Sequence, residues 1–183
     1  MIGSWLLAFF SFALFLFFQA QGIFTGDSGD VVTAAVIAGI PHPPGYPLYS
    51  LLGWLAAHIP LGSLSWRVTL LSSIPHAAAV GLIYALIYRL TGKNVFAAVF
   101  GAVSIATNYL FFLYSSTPEV FALFDLFVIL LWYILVLWKD TKNARLLPVA
   151  AFVYGLSLSH HHLMLFFAPA IAYYVYVHRD RVG

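Results

Sequence analysis

The sequence predicts an all-α polytopic membrane protein, and three observations predict it. Apolar residues make up 63% of the 183-residue chain and charged residues 8%, against roughly 45–50% and about 25% in soluble domains. The apolar residues gather in segments near 4–20, 44–60, 68–90, 94–114, 120–138, 146–159 and 161–177. The charges between those segments sort by sign. Bases cluster at Arg89 with Lys93, at Lys139, Lys142 and Arg145, and at Arg179 with Arg181, whereas Asp27, Asp30 and Glu119 stand in the alternate connections.

Taken in order, residues 1–21, MIGSWLLAFFSFALFLFFQAQ, carry the ~20 apolar residues a span requires and lack the basic start of a secretory leader, so they read as a retained first helix. Segment 44–60 differs. In HPPGYPLYSLLGWLAAHIPLG the apolar run from Pro47 to His58 is only about 12 residues, short of the ~17 of the briefest spans, and prolines crowd its start. It reads as a helix lying at the interface, anchored by Tyr46, Tyr49 and Trp54. Residues 22–66 then form one external loop containing juxtamembrane helices. The other six segments cross, and the positive-inside rule puts the three basic clusters and both termini in the cytoplasm. Residues 146–177 are too long for one helix and are interrupted by SLSHHHLM. Two short helices meeting near the external face at His160, His161 and His162 are expected, as broken backbone is tolerated where protein or a wet cavity surrounds it.

This composition excludes several classes of chemistry. A net charge of +2 with scattered bases is no nucleic-acid footprint. Without cysteine there is no disulfide, thiolate nucleophile or sulfur metal site.

The residues able to carry chemistry converge on the external face. Asp27 and Asp30, in TGDSGDVVTAA, sit at a helix start, where Asp27 or Ser28 could cap; a carboxylate there could equally accept the proton of an acceptor hydroxyl. Arg67 is the one external base: a snorkelling anchor or a fork for phosphate. Glu119, after Pro118, suits a helix N-terminus by its dipole or a site by its position. Asp125, deeper in that helix, faces a cavity or a partner. His76 reads as a packed core residue. On an intact helix the three consecutive histidines point about 100° apart and cannot share a metal, so one of them as a donor to an anionic substrate is the stronger reading.

Read together, GDSGDVVTAA, GIPHPPGYPLYSLLGWLAAHIPLGSLSWRVTLLSS, TPEVFAL and GLSLSHHHLMLF resemble, in order and spacing, the bacterial relatives of the eukaryotic transmembrane O-mannosyltransferase that modifies plexin-type receptors. That group belongs to the GT-C superfamily of polyprenol-dependent glycosyltransferases. The resemblance covers nearly the whole chain, and its His-Pro-Pro-Gly-Tyr-Pro-Leu-Tyr block is the most specific part. It implies a GT-C-like core of about six transmembrane helices with an external first loop, one domain over residues 1–183. It further implies a polyprenyl-phosphate sugar, possibly of mannose, as donor substrate, no cofactor and no metal. Asp27 and Asp30 are then the catalytic acids; His42, Arg67, Glu119, His160 and His161 contact substrates. His160 replaces the family's Asn, and Asp30 stands where many relatives have Glu.

Members of that group usually carry further helices and often a soluble C-terminal domain, so the chain is expected to be the N-terminal membrane part, with a second subunit as one source of the missing helices. The implied reaction is inverting transfer to a hydroxyl of a protein or glycan acceptor, in a bacterial inner membrane. Two rival readings stay open. One is a transporter fragment, for which the broken last helix pair and Asp125 speak; the other is a non-catalytic scaffold subunit.

Overall fold

The computed structural model describes residues 2–179; Met1 and residues 180–183, with Arg181 of the third basic cluster, lie outside the described residues. Among the described residues all regular structure is helical: α1 Ile2–Phe17, α2 Ser28–Ile37, α3 Pro47–Ala57, α4 Leu64–Leu90, α5 Val95–Ala106, α6 Tyr109–Ser116, α7 Phe121–Thr141, α8 Leu146–Leu158, a 3₁₀ segment His162–Phe167 and α9 Ala168–His178.

The boundaries follow local chemistry. The Ser63 hydroxyl accepts from the Trp66 amide at 3.1 Å and starts α4; Asn94 does the same for α5 through Ala97 at 3.0 Å. Asn108 caps α6 through the amides of Leu110 and Phe111. That second cap, set inside the apolar run 94–114, splits the expected straight span into α5 and α6, bent by 62°. Lys142 ends α7 in the left-handed conformation at φ 56°.

Among the described residues, α4 and α7 alone of the six expected spans are long and apolar enough to cross individually, and α5–α6 makes a third if the bent pair counts as one. The 16 residues of α1 and 13 of α8 reach about 24 and 20 Å, less than the ~30 Å hydrocarbon core. Side-chain pairing along the helices gives their relative directions. Along α4, Ser72 meets Glu119 just before α7, and His76 and Arg89 meet Asp125 and Asp140 on α7, so these two helices run parallel. Between them α5–α6 returns, placing Ser115 against His76. Helix α1 lies antiparallel to α4, with Ser4 bonded to the Gly81 carbonyl at 2.7 Å and Gln19 reaching Ser73. Helix α9 descends beside α7, Phe167 against Phe124 and Tyr174 against Trp132.

Apolar side chains have no hydrophobic preference for each other over lipid tails, so close packing and interhelical hydrogen bonds hold such helices together. The sequence meets this with small residues. Ala77, Ala79, Ala98 and Ala102 are buried among α1, α4 and α5 around Phe15 and Phe111. At Gly81 a Cβ would lie 2.9 Å from the Ser4 carbonyl oxygen, so only glycine lets α1 approach here. A second core joins α7, α8 and the 3₁₀ segment through Leu131, Leu135, Val153 and Met164. The third lies at the end formed by the starts of α4 and α7. There α2 and α3 pack over α4 with Val31, Ala35, Tyr46, Tyr49 and Val68, and Gly53 lets α3 close on Ala35, where a Cβ would stand 3.1 Å from its methyl. The 11 residues of α3 span about 16 Å, half a hydrocarbon core.

Candidate active site

The first link is short-range. Helix α2 begins at Ser28 with Asp27 in the N-cap position, yet the Asp27 side chain makes no capping hydrogen bond, contrary to the capping reading, and the Ser28 hydroxyl turns back to the Phe24 carbonyl. Asp30, in the first turn, is held instead by the loop before α3. Its Oδ2 accepts from the His42 backbone N–H and from His42 Nδ1, each at 2.7 Å. Those two bonds, the backbone one foremost, hold the Asp30 carboxyl below its usual range.

With Nδ1 occupied, the other ring nitrogen of His42 faces the site. His42 Nε2 lies 3.5 Å from Asp27 Oδ2 and 3.4 Å from the Tyr46 hydroxyl. Gly45 at φ 96° and Tyr46 at φ 43° make the sharp left-handed turn that returns the chain into α3 and tucks Tyr46 inward, 6% exposed. Tyr46, expected as an interfacial anchor, is therefore part of the site. Burial, then the charges of Asp27 and Glu119, push its hydroxyl above the usual phenol range.

Glu119 forms the floor. Its backbone is clamped to α4 by a reciprocal pair: its N–H donates to Ser72 Oγ at 3.0 Å, and Ser72 Oγ–H donates to its carbonyl at 3.2 Å. Only 7% exposed, its carboxyl is pushed up to about 7, first by burial and then by Asp27, against the relief given by the Val120 amide and His42. A carboxyl that titrates near neutrality beside a second carboxylate and an imidazole is suited to proton transfer.

The broken backbone after α8 supplies the far wall. His160 is buried, with Nε2 donating to the Val120 carbonyl at 2.9 Å, its ring stacked on Tyr49 at 6.2 Å, and Nδ1 without a partner. His161 Nδ1 accepts from the Leu163 amide at 3.2 Å and starts the 3₁₀ segment; its ring lies 5.3 Å from Tyr46. His162 points outward, exposed. The structure thus brings Asp27, Asp30, His42, Glu119, His160 and His161 around Tyr46.

Arg67 is not drawn into that group. Its guanidinium donates to the carbonyls of Ala57, Ile59 and Ser63, closing the C-terminal end of α3. This is neither free snorkelling nor an open fork, and no sequence signal distinguishes it, because the acceptors are backbone carbonyls at the end of α3 and in the connection to α4. Asp125, expected to face a cavity or a partner, is bonded to His76 Nε2 at 3.2 Å; His76, with Ser115 on Nδ1 and Phe111 stacked at 3.8 Å, ties α4 to α6 and α7. Among the described residues no group of three or more acids and histidines could hold a metal ion.

A family model described as the protein O-mannosyl-transferase TMEM260 N-terminal domain matches residues 27–182, from the first site carboxylate onward. The chain belongs to this family. It is 34% identical over 151 residues to the protein O-mannosyl-transferase TMEM260 of Mus musculus, covering 80% of this chain and 21% of that protein. With the Dictyostelium discoideum protein O-mannosyl-transferase tmem260 it shares 27% identity over 173 residues, 86% of this chain and 21% of the relative. The chain spans about a fifth of the length of these curated relatives. No solved structure matches it. As a TMEM260-type N-terminal domain it is an integral membrane protein, and every residue of the cluster lies within the matched region.

Proposed function

We propose that this TMEM260-type domain is the sugar-transferring membrane part of a glycosyltransferase that moves a sugar, mannose by analogy with its relatives' names, from a polyprenyl phosphate to a hydroxyl of a protein acceptor. The end carrying the arginine and lysine clusters would face the cytoplasm of a bacterial inner membrane, and the His42 end the outside. The observation that carries the reading is His42 set between Asp27 and Asp30. Asp30 is tied by two hydrogen bonds and acts as a positioning group; Asp27, 59% exposed, has its second oxygen available to an incoming hydroxyl.

The balanced step is a single displacement. The acceptor oxygen attacks the anomeric carbon as its proton passes to the Asp27 carboxylate, and the bond from that carbon to the phosphate oxygen breaks with its electron pair leaving on the phosphate. Configuration inverts. General-base assistance of this kind is worth roughly 10² to 10⁴ in rate. Glu119, protonated up to about pH 7, and the His161 ring would hydrogen-bond the sugar, His160 supporting that wall. Arg67 reaches the donor phosphate in this scheme through the part of its guanidinium not bonded to the α3 carbonyls. The remaining helices of the family's longer members, in the same chain or a second subunit, would complete the donor groove.

The test is Asp27→Asn in the full-length protein with a polyprenyl-phosphate sugar at saturation. The proposal expects transfer to fall at least a hundredfold with insertion unchanged; activity within threefold of wild type sinks it. A second reading has its own support, since an imidazole whose Nδ1–H is held by a carboxylate presents Nε2 as a base. Retained activity in Asp27→Asn together with loss in His42→Gln would move the base to His42.

A further inference from the structure

The other end of the bundle holds a cavity that the site chemistry does not use. A groove of about 770 Å³ opens between α1, α4 and α7, floored by Ala8, Ala78, Gly81 and Ala85 and walled by Trp5 and Leu130. Its mouth is polar: Arg89, Lys93 and Asp140 stand there with the rings of Tyr88 and Tyr133. Arg89 is 3.6 Å from Asp140 and sits over the Tyr133 ring at 5.8 Å. Lys93, exposed just past the end of α4, makes no ion pair among the described residues. Two bases against one acid leave the mouth net positive.

We infer that this groove is a binding site for an anionic glycerophospholipid of the adjacent leaflet, its phosphate at Arg89 and Lys93 and one acyl chain lying between α1, α4 and α7. Depth is the first reason. From Arg89 to Ala78 the groove follows 11 residues of α4, roughly 16 Å, which matches half of a ~30 Å hydrocarbon core and hence one leaflet. Size is the second. A helix of ~10 Å diameter over those 16 Å would displace about 1,300 Å³, well above the cavity, whereas pockets for small-molecule ligands occupy roughly 300–1,000 Å³, room for a single acyl chain. Chemistry is the third: basic residues between transmembrane helices at an interface recognise anionic headgroups. A polyprenyl-phosphate donor is the poorer occupant, because its phosphate belongs at the His42 end, the length of α4 away.

The inference rests on the proposed transfer reaction only in excluding the donor as occupant, and its test reads lipid binding, not transfer. Its test is a titration of the full chain, purified in neutral maltoside detergent, with phosphatidylglycerol or phosphatidylcholine of equal chain length, read by native mass spectrometry. One phosphatidylglycerol should bind at least tenfold more tightly than phosphatidylcholine. Lys93→Gln, at an exposed position where the backbone and not the side chain closes the end of α4, should weaken it severalfold, and Arg89→Gln with Lys93→Gln should abolish the preference. Ala85→Phe should remove binding with the charges intact, and brominated phosphatidylglycerol should quench wild-type fluorescence more than that of Trp5→Phe. Equal affinity for the two lipids overturns the inference, as does an unaltered preference in Lys93→Gln and the double variant. Equal weakening by Arg145→Gln, a base outside the groove, would reduce the effect to general surface charge and also overturn it. Displacement of the bound lipid by polyprenyl phosphate at equimolar concentration would assign the groove to the donor instead.

Discussion

Glu119 offers a prediction whose sign and size both come from the structure. Its carboxyl is raised from an ordinary 4.5 to about 7 because it is buried over Ser72 and shares its surroundings with Asp27. At 1.36 kcal/mol per pH unit, ionising it in place costs about 3 kcal/mol; partial access of water at the site mouth brings this to roughly 2–3 kcal/mol. Below pH 4.5 the group is protonated in both folded and unfolded chains and costs nothing. Between 4.5 and 7 the unfolded chain releases the proton and the folded one retains it, so stability falls as pH rises. Above 7 the penalty is complete. Glu119→Gln keeps the shape and cannot ionise. It should match wild type at pH 4.5 and be more stable by about 2–3 kcal/mol at pH 8, while sugar transfer falls. Denaturant titrations of wild type and variant in one detergent, at pH 4.5, 6 and 8, measure it. Parallel stability curves, with no gap opening between pH 4.5 and 8, would refute the argument that burial holds this carboxyl near neutrality.

Other expectations follow from single contacts. Arg67→Gln removes the charged donors to the carbonyls ending α3 and should cost about 1.5–3 kcal/mol; Arg67→Lys restores charge without the fork, and donor affinity unchanged in both variants would end its role as a phosphate ligand. Gly53→Val must push α2 from α3, since even a Cβ there stands 3.1 Å from Ala35; a cost of about 1–3 kcal/mol is expected, with His42 chemical shifts moving, and unchanged shifts would show that the contact does not position the site. Ile40→Cys and Leu61→Cys, at exposed loop positions, should both be labelled by an impermeant thiol reagent from outside intact cells. Labelling of only one of the two would mean that α3 crosses the membrane.

What the sequence determined by itself is whatever local composition and length control. Membrane solvation demands long apolar runs and paired backbone groups, so the all-α class, the short α3 and the break at His160–His162 were legible from residues close together in the chain. Asn108 also lay in view, as the cap that splits 94–114, although its apolar surroundings hid it. The tertiary structure decided the partners. Asp27 and Asp30 are alike in type and three apart, but Asp30 is bonded twice by His42 across 12 residues, whereas Asp27 stands 3.5 Å from the other ring nitrogen and makes no capping bond. Glu119 is buried by Ser72 across 47 residues, and Tyr46 faces three histidines rather than lipid. Arg67 meets the end of α3 rather than an open membrane surface. A side chain's protonation and hydrogen bonding depend on the atoms within a few ångströms of it, and in a helix bundle those atoms come from elements whose facing surfaces are set only when small residues such as Gly53 and Gly81 let them close.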